Sequence, residues 1–208
     1  MNKLSLLDAS PEPFKLTLPK GVEAWLRSFL KNRNDGLNIV EYGTGGSSFL
    51  FTENPKNLLV AGETDKGWLS RLISELKQIK RFNFIPAYMN IGPTKEWGLP
   101  HDANMHSHLY PSAVKHPTNM CRNAMVTPDF FFIDGRFRVA SFCEAYILAP
   151  KSTPIMIDDY FDRPEYHVVE QLVPVYSRIG RAALFIKPSG PVNKGELHKL
   201  TSYYLNPD

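Results

Sequence analysis

The sequence has 208 residues, enough for one sizeable hydrophobic core, and we expect a single domain over residues 1–208. Hydrophobic residues make up 43% and charged residues 22%, a balance that is typical of globular proteins and excludes a disordered or fibrous chain. The net charge of +3 comes without a block of lysines or arginines, so a nucleic-acid partner is not expected.

Cysteine content and the first residues bear on the compartment. The two cysteines give no disulfide framework, which suits a reducing environment. Met1–Glu12 lacks the basic start and apolar stretch of a signal sequence, and no apolar run approaches membrane-spanning length. We therefore expect a cytoplasmic protein with no membrane partner.

Prolines interrupt residues 1–18, which we predict to form an N-terminal arm over the surface. Apolar residues then recur at helical spacing from Val22 to Leu30. Asn38–Phe49 follows, with the sequence Asn-Ile-Val-Glu-Tyr-Gly-Thr-Gly-Gly-Ser-Ser-Phe. Because its apolar run ends in a carboxylate and a glycine-rich turn, we predict a buried strand that leads into a helix.

The glycine-rich turn has the features of a ligand-binding backbone. Gly43 and Gly45 can adopt backbone angles closed to other residues and let a ligand lie against the main chain. Ser47 and Ser48 can cap the next helix, whose unpaired N–H groups would face the ligand. The dinucleotide fingerprint needs glycine where Ser48 stands, which disfavours a nicotinamide dehydrogenase. A tight turn without a ligand is the alternative.

A second strand is predicted at Asn57–Ala61, and a helix with apolar residues on one face follows it. Between them lies Glu63, close to the spacing of about 20 residues at which doubly wound folds place an acid on a cofactor's ribose. A carboxylate suits that role because it can accept hydrogen bonds from both ribose hydroxyls. The alternative is that an acid here caps the helix, which we expect for Asp65.

A third strand is predicted at Phe82–Tyr88, and the least regular part of the sequence, residues 90–128, follows it. Five prolines interrupt this segment (residues 93, 100, 111, 117 and 128), and we predict an irregular insertion that covers the site. It also carries His101, His106, His108 and His116. No cysteine or His-Glu-x-x-His spacing accompanies them, so a solvated loop is favoured over a zinc site.

Two further apolar runs, Asp129–Ile133 and Pro154–Ile157, are suited to strands buried on both faces. Val173–Ile179 and Ala182–Ile186 predict a closing hairpin, and residues 188–208 a C-terminal extension. The alternation of strands and helices predicts an α/β fold: a doubly wound, Rossmann-like, mostly parallel sheet with helices on both faces and a closing antiparallel hairpin.

Acidic residues follow these apolar runs repeatedly. Ligands of open parallel sheets bind beyond the carboxyl ends of the strands, near the point where the strand order reverses. We therefore expect five carboxylates to converge on one rim of the sheet: Glu41, Glu63, Asp134, Asp158 and Asp159.

The order of these motifs resembles that of class I S-adenosylmethionine (SAM) methyltransferases over roughly residues 36–187, and small methyltransferase-like proteins carrying Ile-Asp-Gly-Arg-Phe-Arg and Asp-Asp-Tyr blocks are the nearest likeness. The resemblance implies transfer of a methyl group from SAM to a hydroxyl or amine of a small-molecule acceptor. By the same resemblance the cofactor would contact Glu41, Gly43, Thr44, Gly45, Ser47, Ser48, Glu63 and Asp134. The family's acidic residue after strand three has no counterpart near residues 87–92.

The chain also resembles metal-dependent catechol-type O-methyltransferases, which implies Mg²⁺ ligands at Asp134, Asp158 and Asp159. In the alternative reading these acids brace turns while Arg136 or Arg138 neutralises them. The two arginines are also candidates for binding an anionic substrate group.

Candidate catalytic residues are Asp134, Asp159 and Tyr160, the last for orienting a substrate. The group that deprotonates a hydroxyl acceptor is Asp134, a metal or a histidine of the cover, and the sequence does not choose among them. The competing functional class is a non-catalytic SAM- or nucleoside-binding module, or a partner-binding module, with the same fold.

Overall fold

The computed structural model describes residues 14–33, 35–192 and 194–207. Residues 1–13 of the predicted arm therefore lie outside the described part of the chain. The strands are β1 (Asn38–Tyr42), β2 (Leu58–Glu63), β3 (Phe84–Tyr88), β4 (Phe130–Ile133), β5 (Pro154–Ile157), β6 (Ser177–Ile179) and β7 (Ala182–Ile186). The α-helices are α1 (Lys20–Lys31), α2 (Gly46–Phe51), α3 (Lys66–Gln78), α4 (Tyr110–Asn123), α5 (Arg138–Leu148) and α6 (Lys194–Lys199). Short 3₁₀ helices occupy Glu96–Gly98, Ser107–Leu109, Tyr160–Asp162, Pro164–Gln171 and Thr201–Leu205.

The strands form one seven-stranded sheet in the order β3-β2-β1-β4-β5-β7-β6. Strands β1 to β5 pair in parallel, whereas β7 pairs antiparallel with both β5 and β6. The predicted doubly wound sheet with a closing hairpin is confirmed, although β6 begins only at residue 177. The strand order reverses between β1 and β4, and this is where a ligand crevice is expected.

Alternation along the central strands builds a core on each face of the sheet. In β4, Phe131 and Ile133 belong to one buried cluster, which also contains residues of α4 and α5. Phe130 and Phe132 belong to the other cluster, which includes residues of α1 and α2. Each fully buried phenylalanine contributes about 1.5–3 kcal/mol of hydrophobic stabilisation, and this burial fixes where β4 ends.

Helix α4 corrects the prediction of an irregular segment over the whole of residues 90–128. Pro111 lies in the first turn of this helix, where a missing N–H costs nothing. Pro117 lies inside the helix and packs against β2, since a Cβ at Gly62 would lie only 2.7 Å from Pro117 Cγ. Among residues 90–109 the structure has only two 3₁₀ turns and an isolated bridge between Thr94 and Pro100.

The predicted C-terminal extension packs against α4 and α5 through its 3₁₀ helix. Tyr204 is buried there, and its hydroxyl donates a 2.6 Å hydrogen bond to the buried Glu144 carboxylate. No helix within the described residues is long and apolar enough to cross a membrane.

Candidate functional site

A buried carboxylate anchors the turn after β1. Glu41 is fully buried, and the hydroxyls of Ser47 and Ser48 each donate a 2.5 Å hydrogen bond to it. Burial raises the pKa of Glu41 to about 8, and the two serine hydrogen bonds only partly offset that effect. Ser48 Oγ also accepts a 3.1 Å hydrogen bond from the N–H of Gly45, which ties the carboxylate to the start of α2.

Two of the glycines in this turn have different surroundings. Gly43 has φ +89°, and a Cβ there would lie 2.3 Å from the Cα and N atoms of Gly135, in the turn after β4. The bare backbone of Gly43 therefore accommodates Gly135 on the side where a Cβ would lie, and its contact with a ligand stays a prediction. A Cβ at Gly45 would meet nothing within 4 Å, so this is the glycine beside which a ligand has space.

Glu63, at the carboxyl end of β2, connects the turns after β1 and β2. Its carboxylate accepts hydrogen bonds from Thr44 N–H at 3.0 Å and Thr44 Oγ1 at 3.1 Å. It also accepts from the N–H groups of Thr64 at 2.7 Å and Asp65 at 2.9 Å. Burial raises the pKa of Glu63, and these hydrogen bonds oppose the rise. Asp65 caps α3, as predicted, by accepting from Trp68 N–H at 2.8 Å.

Part of the predicted cover lies between the ends of β2 and β4. Thr64 Oγ1 donates to the carbonyl of Gly98 at 2.9 Å, and Arg136 Nε donates to the carbonyl of Trp97 at 2.9 Å. The Trp97 side chain is 82% exposed and its backbone is left-handed, with φ +63°. Hydrogen bonds therefore attach the segment 94–100 to the turn after β2 and to the turn after β4. Whether this segment opens and closes over the crevice stays a prediction.

The described end of the N-terminal arm lies over α2 and α3. The ring of Phe14 packs edge-on against Trp68, with centroids 4.5 Å apart. A Cβ at Gly46 would lie 2.4 Å from the carbonyl oxygen of Lys15, so the arm crosses the first residue of α2. The indole of Trp68 donates to the carbonyl of Thr44 at 2.7 Å. Trp68 therefore contacts both the arm and the glycine-rich turn.

The structure brings together the three aspartates that the sequence placed at the ends of β4 and β5. One carboxylate oxygen from each of Asp134, Asp158 and Asp159 lies within 4.8 Å of the others. Burial raises the pKa of Asp134 to about 7, and the nearby charge of Arg138 opposes that rise. Asp134 precedes Gly135, so the aspartates lie on the same rim of the sheet as Gly43.

Two arginines already pair with this cluster. Arg138 contacts Asp134 at 3.2 Å and Asp159 at 3.1 Å. Arg181 pairs with both oxygens of Asp158 and contacts Asp159 at 2.8 Å. These ion pairs match the alternative in which arginines neutralise the acids.

Other predicted site residues lie differently from expectation. The three nitrogens of the buried Arg138 guanidinium all contact the aspartates or main-chain carbonyls, so these groups already use its donors. Its binding of a substrate anion stays a prediction. Tyr160 is fully buried, and its hydroxyl donates to Glu170 at 2.8 Å. Burial raises the pKa of Tyr160 above its ordinary value, so the hydroxyl stays protonated. Substrate contact by Arg136 stays a prediction.

Sequence reasoning missed Arg181. Because β7 runs antiparallel to β5, with Ala183 opposite Ile157, the residues before β7 lie at the carboxyl end of β5. The pairing of the predicted hairpin with β5 would have indicated this position, but the hairpin alone did not.

Comparison with known proteins shows which fold family this architecture matches. A methyltransferase-like protein from Silicibacter pomeroyi DSS-3 is similar to this chain with a TM-score of 0.81 and 27% sequence identity, over 94% of this chain and 99% of its own. The cofactor-bound protein Rv0187 from MTB is similar with a TM-score of 0.58 and 13% identity, over 86% and 85% of the two chains. A methyltransferase from Geobacter sulfurreducens has a TM-score of 0.54 and 10% identity, over 83% and 81%. No protein-family model and no curated protein sequence matches the chain.

Proposed function

Because this chain has the class I SAM-dependent methyltransferase fold, we propose that it binds SAM and transfers its methyl group to a hydroxyl or amine of a small-molecule acceptor. The turn after β1 carries this proposal. There, two serines hold the buried Glu41 carboxylate, and the missing side chain of Gly45 leaves open space. That combination fits a ligand that lies against the backbone beside an acidic group.

The charges around the turn favour a cationic ligand. Glu63 and Asp134 are both close enough to Glu41 to contribute to the rise in its pKa. Each of these carboxyls repels phosphate groups and attracts a cation when it ionises, and a bound cation in turn favours the ionised form. SAM carries a sulfonium cation and no phosphate, whereas dinucleotides carry two phosphates. The acidic character of the site and the serine at position 48 thus both favour SAM over a nicotinamide dinucleotide.

Cofactor contacts are assigned by position at the strand ends. We assign Glu41 to the methionine part of the cofactor and Glu63 to the ribose. Thr44 Oγ1 donates to Glu63 at 3.1 Å, and Thr64 Oγ1, which donates to the carbonyl of Gly98, lies 3.3 Å from the same carboxylate; both distances are longer than the bonds from backbone N–H groups. Ribose hydroxyls would take the place of these two side-chain contacts, while the backbone N–H groups keep the carboxylate in place.

The chemistry requires an in-line approach of the acceptor and a group that takes its proton. The bound sulfonium supplies an electrophilic methyl group, and correct positioning supplies much of the rate. We assign the proton to Asp134, whose side chain is 27% exposed and whose pKa is raised to about 7. Asp159 pairs with Arg138 and Arg181, and we assign it to positioning the Arg138 guanidinium beside Asp134. The proposal does not use the buried Tyr160.

The test measures binding of S-adenosylhomocysteine by calorimetry. Valine at Gly45 would occupy the open space, so Gly45→Val should weaken binding at least tenfold, without loss of folding. Gly21 is the matched control, because a Cβ there also meets nothing within 4 Å and it lies in α1, away from the site. Gly21→Val should bind as the parent does. No heat from the folded parent at millimolar ligand, or unchanged binding by Gly45→Val, would overturn the proposal.

The second candidate is a SAM- or nucleoside-binding module without transfer. The pairing of all three aspartates with arginines favours it, because each carboxylate that could take a proton already has a guanidinium partner. The two candidates differ in one measurement: the enzyme transfers a labelled methyl group to an acceptor and loses this activity in Asp134→Asn, whereas the module binds the ligand without turnover.

A further inference from the structure

The aspartate cluster invites a divalent cation, and its two arginines determine whether one fits. Mg²⁺ takes six oxygen ligands in a near-ideal octahedron at about 2.0–2.1 Å, so coordinating carboxylates must present free oxygens. At this cluster, both oxygens of Asp158 and both oxygens of Asp159 accept from guanidinium groups. Asp134 contributes its Oδ1 to Arg138. As folded, the cluster does not fit a divalent cation.

We propose that the guanidinium groups of Arg138 and Arg181 replace a divalent cation at the Asp134–Asp158–Asp159 cluster, and that Arg181 is the residue that excludes metal. This inference rests on the proposed function only in its consequence, which is that methyl transfer needs no metal. The exclusion of metal itself depends on the ion pairs alone.

Charge balance supports the replacement. When all three aspartates are ionised they carry three negative charges, and the two guanidinium groups carry two positive charges, which leaves one negative charge at the cluster. A Mg²⁺ ion would supply the same two positive charges. Asp158 is fully buried, and a buried carboxylate without a partner is strongly destabilising, so the cluster needs a cation of one kind or the other.

The two arginines are held to different degrees. Arg138 has a side chain that is 9% exposed, and it donates to the carbonyls of Gly135, Asp134 and Asp158 as well as to carboxylates. The Arg181 side chain is 34% exposed, and its guanidinium contacts are with the carboxylates of Asp158 and Asp159. Removal of Arg181 therefore frees carboxylate oxygens and leaves the backbone contacts of Arg138 in place.

The hairpin places Arg181 at this position. The carbonyl of Arg181 accepts a 3.0 Å hydrogen bond from Phe161 N–H, which joins the β6–β7 turn to the turn after β5. Asp159 has φ +55°, a left-handed conformation uncommon outside glycine, and this bend precedes the 3₁₀ helix that carries Phe161. Arg181 is thus a positioning residue that connects the closing hairpin to the candidate site.

The test is the binding of Mn²⁺, followed by electron paramagnetic resonance of the free ion, which needs no methyl transfer. The parent should bind no Mn²⁺ at this cluster at millimolar concentration. Arg181→Met keeps much of the side chain's apolar length and removes the charge, so it should bind Mn²⁺ at least tenfold more tightly than the parent. Asp158→Asn added to that variant should abolish the gain, and Arg181→Lys should show none.

Arg178→Met is the matched control, since Arg178 is an exposed arginine of the same hairpin that stacks on Phe161. It should not gain Mn²⁺ binding. If Arg181→Met is too unstable to titrate, Mn²⁺ should raise its melting temperature and leave that of Arg178→Met unchanged.

Mn²⁺ binding by the parent that Asp158→Asn removes would overturn the inference. So would a folded Arg181→Met that gains no Mn²⁺ binding, or an unstable one that Mn²⁺ does not stabilise. Failure of the proposed function would be seen separately, as a lack of binding of S-adenosylhomocysteine.

Discussion

Gly43 and Gly135 meet backbone to backbone where the turns after β1 and β4 touch. A Cβ on Gly135 would lie 2.7 Å from the Cα and N atoms of Gly43, so neither residue tolerates a side chain. This contact holds together the two turns on either side of the point where the strand order reverses. The two glycines therefore contribute to stability by allowing the two turns to meet.

Gly43→Ala should consequently destabilise the protein. The added methyl group overlaps backbone atoms of Gly135 at 2.3 Å, and alanine is strained at φ +89°. We expect a loss of about 3 kcal/mol or more in the free energy of unfolding, measured by urea denaturation. Gly45→Ala, with open space around its Cβ, should lose less than about 1 kcal/mol. Equal stability of Gly43→Ala and the parent would contradict the close approach.

The sequence located these residues but not all of their uses. The motif around Gly43 showed that bare backbone was needed, yet the atoms that approach it belong to Gly135, which is distant in the chain. Glu41 and Glu63 were identified because each ends an apolar run. Arg181, the charge partner of the aspartates, was not identified, because its position at the site depends on the antiparallel pairing of β7 with β5.

At the scale of elements, the strands were more predictable than α4. Strands β4 and β5 are buried on both faces, so they appear in the sequence as uninterrupted apolar runs with acidic ends. In α4 the buried residues do recur at helical spacing: Tyr110, Ala113, Val114, Pro117, Thr118 and Cys121. Two prolines concealed that periodicity. The structure shows that Pro111 lies in the first turn, where it is tolerated, and that Pro117 packs against Gly62, but neither position could be recognised from the sequence.

This division of residues 90–128 predicts two exchange behaviours. Without ligand, amides of residues 94–109 should exchange much faster than those of Ala113–Cys121, because the first segment has few buried residues and the second packs on the sheet. Hydrogen exchange followed by mass spectrometry is the measurement. S-adenosylhomocysteine should slow exchange in residues 94–100, which lie between the ends of β2 and β4.

Exchange in residues 94–100 as slow as that of Phe130–Ile133 without ligand would contradict a mobile cover. Ala113–Cys121 serves as the internal control, since its exchange should be unchanged when ligand is added.

For the molecule as a whole, the fold collects buried carboxylates at one rim. The carboxyl ends of the parallel strands point the same way, which brings Glu41, Glu63 and Asp134 together at the crevice. Burial raises the pKa of each of these groups. The arrangement costs stability when the carboxyls ionise, and a cationic ligand would offset that cost.

The cost should appear in the pH dependence of unfolding. Glu41 has an ordinary pKa of 4.5 and a folded-state pKa of about 8, so between these values the folded protein keeps a proton that the unfolded chain has released. The contribution of this carboxyl to stability is complete below about pH 4.5 and is lost as the pH rises towards 8, by up to about 1.4 kcal/mol per pH unit.

Glu41→Gln isolates that contribution, because glutamine keeps an oxygen for Ser47 and cannot ionise. Urea unfolding at about pH 5, 6.5 and 8 should show the parent losing stability relative to this variant as the pH rises. Glu53→Gln, which replaces a carboxylate that is 52% exposed, should follow the parent throughout. A constant difference between parent and Glu41→Gln across that range would mean that Glu41 is ionised in the folded protein. The pKa of Glu41 would then be ordinary, and there would be no cost of ionisation for a cationic ligand to offset.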